Sequence, residues 1–167
     1  MMPASNFQVN LHEMICIEIF AGCAQLSASL KQVGFSIISI DHKKGKVLKA
    51  KLMLLDLTKQ CDIDVLFNIL ATANICYCHC APVCGTGSRA REIPLPPEMA
   101  HLRANPMRSK SHPLGLPGLP PNDAARVLAA NKLYFITLCV AFVAFRRNFI
   151  LSVENPSNAY FGWRCKR

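Results

Sequence analysis

Ile75-Cys76-Tyr77-Cys78-His79-Cys80 runs directly into Ala81-Pro82-Val83-Cys84-Gly85-Thr86-Gly87-Ser88-Arg89-Ala90-Arg91. The first part is an apolar run rich in strand formers, and the second breaks it with proline and glycine and turns basic. A buried strand that ends in Pro-x-Cys-Gly and opens into a basic loop presents one thiol, Cys84, at the edge of a sheet. Open α/β folds place their ligands at that edge.

The flanking sequence repeats the strand-then-helix pattern. Upstream, Met14–Phe20 is mostly apolar and β-branched, as a strand buried on both faces should be. It passes through Ala21-Gly22-Cys23-Ala24-Gln25 into a helix with Leu26, Leu30 and Val33 at helical spacing, closed by Gly34. Phe35–Ile40 is a second strand ending in Asp41. A turn with Lys43, Lys44, Lys46, Lys49 and Lys51 follows. Leu52–Leu55 is a short third strand ending in Asp56, and Asp62–Thr72 suits a helix with Val65, Leu66, Ile69 and Leu70 on one face. Asn74–Cys80 is the fourth strand. Downstream, residues 92–121 carry eight prolines, a density that excludes regular helix and central strand. Asn122 or Asp123 is the expected cap of a helix over Ala124–Arg147. Phe149–Val153 is a fifth strand, ending in Glu154-Asn155-Pro156.

This alternation predicts an α/β fold: a Rossmann-like, doubly wound, mostly parallel sheet in three α/β/α layers with right-handed crossovers. Residues 1–12 read as a flexible lead-in and 13–167 as one domain containing the Pro-rich loop 92–121. Every strand ends in a glycine-rich or polar group: Gly22, Asp41, Asp56, Cys84 or Glu154. All are expected along one sheet edge.

The composition is that of a globular chain, with 51% hydrophobic and 17% charged residues among 167. A net charge of +9 favours a polyanionic partner, nucleic acid above all. Nine cysteines scattered through apolar segments, with no secretory leader in Met1–Asn10, point to an intracellular, reducing compartment. The most apolar run, Leu133–Phe145, is 13 residues. That is short of the roughly 20 needed to span a bilayer, so it reads as a core helix and no membrane is expected.

The chemistry-bearing residues narrow the reading. Pro82 and Gly85 shape a tight turn around Cys84, and Arg89 and Arg91 would favour its thiolate. Glu154, on the next strand, is placed as a proton donor or hydrogen-bond partner. The Phe20-Ala21-Gly22 turn offers backbone N–H groups at a helix N-terminus, and Asp41, 19 residues beyond Gly22, is positioned to accept ribose hydroxyls. Zinc is disfavoured. Cys76, Cys78 and Cys80 would share a strand face but spread over about 13 Å, and no Cys-x-x-Cys pair occurs. His79 reads as packed or capping.

Taken in order, Glu18-Ile19-Phe20-Ala21-Gly22, Asp41, Pro82-Val83-Cys84-Gly85 with Ser88, and Glu154-Asn155 resemble the motifs of S-adenosylmethionine-dependent methyltransferases. The nearest branch is the DNA cytosine carbon-5 type. Residues 81–91, 106–119 and 153–163 also resemble a divergent group of such proteins found in mobile elements. The resemblance covers roughly residues 14–163. It implies S-adenosylmethionine as cofactor, with Phe20, Ala21, Gly22 and Pro82 contacting it, Asp41 on its ribose and Asp56 on its adenine. Cys84 would be the nucleophile and Glu154 would hold the target base. Ser88, Arg89, Arg91 and Asn155 would engage nucleic acid, DNA rather than RNA. Arg103, Arg108 and the lysine-rich turn would add phosphate contacts. A nuclear location follows in a eukaryote. Ala24 stands where the family has a second glycine and Val83 where it has proline. The family's later strands are not found after strand five, so the sheet is expected to be incomplete at its C-terminal edge and to offer that edge to a pairing partner. Two readings follow: cytosine methylation through Cys84, or a catalytically inactive remnant that binds nucleic acid or cofactor only.

Overall fold

The computed structural model describes residues 14–102 and 104–155. The lead-in over residues 1–12, Arg103, and residues 156–163 of the resemblance lie outside the described residues. Five strands form one sheet in the order β3-β2-β1-β4-β5: β1 Ile15–Ile19, β2 Ser36–Asp41, β3 Leu52–Leu54, β4 Ile75–Cys80 and β5 Ile150–Val153. All four pairings are parallel, so the sheet is wholly rather than mostly parallel. The chain winds outward from β1 to β3, then returns across the sheet to β4 and β5. This is the doubly wound, Rossmann-like arrangement, and its switch point lies between β1 and β4.

Three helices make the crossovers: α1 Gln25–Val33, α2 Gln60–Thr72 and α3 Pro121–Arg147. The two sheet faces differ in chemistry. On one, Ile17, Ile19, Ile40, Cys78 and Cys80 pack with Ile63, Leu66 and Leu70 of α2 and Ile136, Val140 and Ala144 of α3. The other is polar at its centre. Glu18 of β1 is buried there and accepts from the backbone N–H and the hydroxyl of Ser27 on α1, and the Ser39 hydroxyl of β2 donates to Ser27 Oγ at 2.7 Å. In register, Ser39, Glu18, His79 and Ser152 form a row across four strands.

Local chemistry sets the helix ends. Gly34 caps α1 at φ 110° and donates its N–H to the Lys31 carbonyl. The expected Asn122 or Asp123 cap of α3 is corrected. The helix begins at Pro121 after Pro120, because proline at the first helical position gives up only an N–H that has no intrahelical partner. Asp123 instead sits in the first turn, 3.3 Å from Arg126. Before Pro121 the Pro-rich segment has no α-helix or strand among its described residues, but a short 3-10 turn forms at Pro97–Leu102 and another, Arg89–Glu92, leads into it.

The three cysteines of β4 do not share one face. A register shift between Ile15 and Cys16 turns Cys76 toward β1, where its Sγ lies 3.7 Å from that of Cys16. Cys78 and Cys80 remain in the core with Sγ atoms 4.0 Å apart. Burial and the neighbouring Cys76 push the Cys16 thiol up to about 12.

Ser27 is the one hydroxyl bonded to the buried Glu18 carboxylate in this network. Ser27→Ala is expected to destabilise the fold by about 2 kcal/mol, the size of a lost hydrogen bond to a charged group, with the urea m-value unchanged. Chemical denaturation measures it, and a change below ~0.5 kcal/mol would show the network to be energetically idle.

Candidate functional site

Each strand delivers a short loop to the same sheet edge, and a cleft of about 300 Å³ opens there over the ends of β1, β2 and β3. Phe20, Asp41, Asp56 and Ala81 line it, with Ile40, Leu55 and Leu57 below and Ala129 and Leu133 of α3 as one wall. The cleft is an apolar slot with carboxylates at its mouth, the composition of a site that takes a largely flat, partly polar ligand.

The turn after β1 is conformationally unusual. Phe20, Gly22 and Ala24 all have positive φ, at 64°, 56° and 57°. Ala24 is fully buried and precedes α1 in the left-handed region, where a side chain costs roughly 1–2 kcal/mol. The chain holds this turn with Ala21 N–H donating to the Ile40 carbonyl, Ala24 N–H to the Ala21 carbonyl, and Gly22 N–H to Asp41 Oδ2 at 2.8 Å. Asp41 thus fastens the β1 turn to the end of β2. Its Oδ1 accepts from His42 N–H at 2.7 Å and lies 2.8 Å from His42 Nδ1. A carboxylate offers about four acceptor sites, so Oδ2 retains capacity for a hydroxyl in the cleft.

Asp56 accepts from the Thr58 hydroxyl at 2.7 Å and its N–H at 3.1 Å, and its own N–H donates to Asp62. The Thr58 donors hold the Asp56 carboxyl below the usual carboxylate range.

Cys84 sits on the loop after β4, whose Ala81 and Val83 line the cleft although Cys84 itself does not. It is half-buried, and its carbonyl accepts from Gly87 N–H and Ser88 N–H, which closes a turn after the buried Pro82. The arginines expected to flank its thiol have other contacts. Arg89 Nε lies 2.7 Å from Glu92, and Arg91 Nε donates to the Gly85 carbonyl at 2.8 Å. Ser88 is half-buried in the same turn.

Arg108 needs correction. It was expected to reach phosphates and is instead buried, at 1% exposure. Its guanidinium donates to Thr86 Oγ1 from two nitrogens, to Asn131 Oδ1 of α3 and to the Pro113 carbonyl. It therefore clamps the Cys84 loop, the Pro-rich segment and α3 together. Tyr134 of α3 donates to the Val83 carbonyl at 3.3 Å, and burial pushes its phenol up. Nothing in one dimension marks Arg108, Thr86 or Tyr134, because Arg108 and Thr86 are 22 residues apart and Tyr134 and Val83 are 51.

Glu154 follows β5, and its N–H donates to the Cys80 carbonyl. Its carboxylate is 74% exposed and lies 3.9 Å from His79 Nε2, while His79 Nδ1 is 2.7 Å from Ser152 Oγ. Asn155 is half-buried, and its Oδ1 is shielded from solvent with no hydrogen-bond partner among the described residues. Lys43, Lys44, Lys46, Lys49 and Lys51 are all exposed, and the first of them follows His42, which lines the cleft.

No protein-family model matches this chain, and no curated protein is significantly similar to it.

The Thr58 contacts give a testable pH dependence. A carboxyl held below its unfolded value stabilises the fold above that value, and the stabilisation is lost as pH falls through the folded pKa, below about pH 4. Thr58→Val should move the Asp56 carboxyl up toward an ordinary aspartate and shift acid unfolding to higher pH. Carbon-detected NMR titration reads the first and circular dichroism the second. An unmoved Asp56 titration would mean that Thr58 is not the cause.

Proposed function

We propose that this protein is an S-adenosylmethionine-dependent methyltransferase core acting on nucleic acid, with carbon 5 of cytosine in DNA as target and Cys84 as nucleophile. The observation that carries the reading is the meeting of Phe20, Asp41 and Asp56 in one cleft, at the edge where β4 delivers the Cys84 loop. The residues fit an adenosyl group. The floor of Ile40, Leu55 and Leu57 suits a flat ring, and Asp41 Oδ2 suits a ribose hydroxyl. Asp56, which lines the same cleft, would supply a polar contact to the ring edge. When bound, the cofactor supplies an electrophilic methyl group.

The chain's own residues then have distinct tasks. The Cys84 sulfur, as thiolate, adds to carbon 6 of cytosine, which makes carbon 5 nucleophilic, and leaves again when carbon 5 has lost its proton. Glu154 holds the ring nitrogen and amino group of the base. Asn155, Ser88, Arg89 and Arg91 lie on the two loops that would border a flipped base. The lysines of the β2–β3 turn would neutralise phosphates, so binding should weaken steeply with salt.

A second reading, binding without turnover, is favoured by one feature: the Glu154 carboxylate lies against His79 rather than in the cleft.

Calorimetry should detect S-adenosylmethionine binding, weakened at least about tenfold by Asp41→Ala. DNA carrying 5-fluorocytosine should form a covalent adduct with the wild type and none with Cys84→Ala. Cofactor and DNA binding without an adduct would establish the second reading. No cofactor binding by the folded protein would reject both the methyltransferase proposal and the assignment of the cleft.

A further inference from the structure

Helix α3 is apolar on two opposite faces. One face, with Ile136, Val140 and Ala144, lies in the core. The other carries Leu128, Phe135, Leu138, Phe142 and Phe145, which are 71%, 64%, 50%, 64% and 84% exposed. Their spacing of seven, three, four and three residues is that of a coiled-coil seam. They form a stripe about 25 Å long. Its exposed area is roughly 600 Å² per copy, at or above the largest apolar patch a typical monomer leaves open.

We propose that this stripe is a homodimer interface, in which two copies pack α3 against α3 in antiparallel fashion about a two-fold axis near Phe135 and Leu138. Two observations favour a second copy as the occupant. Two such stripes would together bury about 1,200 Å², the lower bound for a specific, stable interface. The 3-4 spacing is self-complementary, so one stripe is a sufficient partner for another.

A lipid surface fits less well. Residues 133–145 contain no charged side chain, whereas a helix lying in a membrane interface needs a Lys- or Arg-rich face beside its apolar one. Lys132, the charge nearest the middle of the stripe, donates to the Thr58 carbonyl. This inference is independent of the methyltransferase proposal, since none of the five stripe residues lines the cleft or belongs to the Cys84 loop.

Sedimentation velocity of the full chain tests it. The wild type should sediment as a dimer at about 10 µM, and Phe135→Glu with Phe142→Glu should be monomeric there with an unchanged far-UV spectrum. Both sites are solvent-facing in the monomer, so folding should survive. A wild type that is monomeric at ~100 µM overturns the proposal, as does a dimer insensitive to the two glutamates. A monomer that floats with vesicles of anionic and zwitterionic phospholipid, and loses this with the glutamates, assigns the stripe to lipid and overturns it as well.

Discussion

Parallel strands cannot be joined by hairpins, and this constraint governs the molecule. Each return needs a crossover over one face of the sheet, and right-handed crossovers put α1 on one side and α2 and α3 on the other. All strand carbonyl ends then point to one edge. Phe20, Asp41, Asp56 and Cys84 are therefore near one another although 64 residues separate the first from the last. The cleft opens where two neighbouring loops leave in opposite directions, which is a consequence of winding order rather than of any single residue.

The polar row Ser39-Glu18-His79-Ser152 shows how unequal the two faces are. A sheet buried on both sides should be apolar throughout. Here the face under α1 holds a buried carboxylate, tolerated because Ser27 supplies both a backbone N–H and a hydroxyl. The residue pairing that places Glu18 beneath α1 also places His79 beside Ser152 and Glu154. The base-holding role proposed for Glu154 thus competes with its 3.9 Å contact to His79.

Much of this fold was legible in the residues. The strands are short apolar runs between turn-formers, and Gly34 ends α1 as its lack of a Cβ permits. Asp41 ends a strand and Asp56 follows one, both are expected along one sheet edge, and both line the cleft there. What was not legible depends on distant partners. The turn of Cys76 toward Cys16 accompanies a register shift in which Cys76 is the extra residue of β4 between the partners of Ile15 and Cys16, and this shows only once the two strands are paired. The burial of Arg108 requires Thr86 and Asn131 to arrive together, and a basic residue in a proline-rich loop gives no sign of that. Pro121 as the start of α3 was missed because Asn122 and Asp123 are strong capping residues, while the chain used proline's fixed φ instead.

Helix α3 exposes a deeper ambiguity in reading hydrophobicity. Its run Leu133–Phe145 looked too short to cross a bilayer, yet the helix extends over 27 residues and is long and apolar enough to do so. One third of its most apolar window is buried against the rest of the protein, so composition alone describes neither a core helix nor a spanning one. A core needs one apolar stripe, and a second stripe at period 3.5 adds nothing to the monomer's stability. Its exposed phenylalanines raise the cost of solvating the isolated chain. Such a surface is thermodynamically sensible only when it is covered, and among simple coverings another α3 matches its length and its spacing.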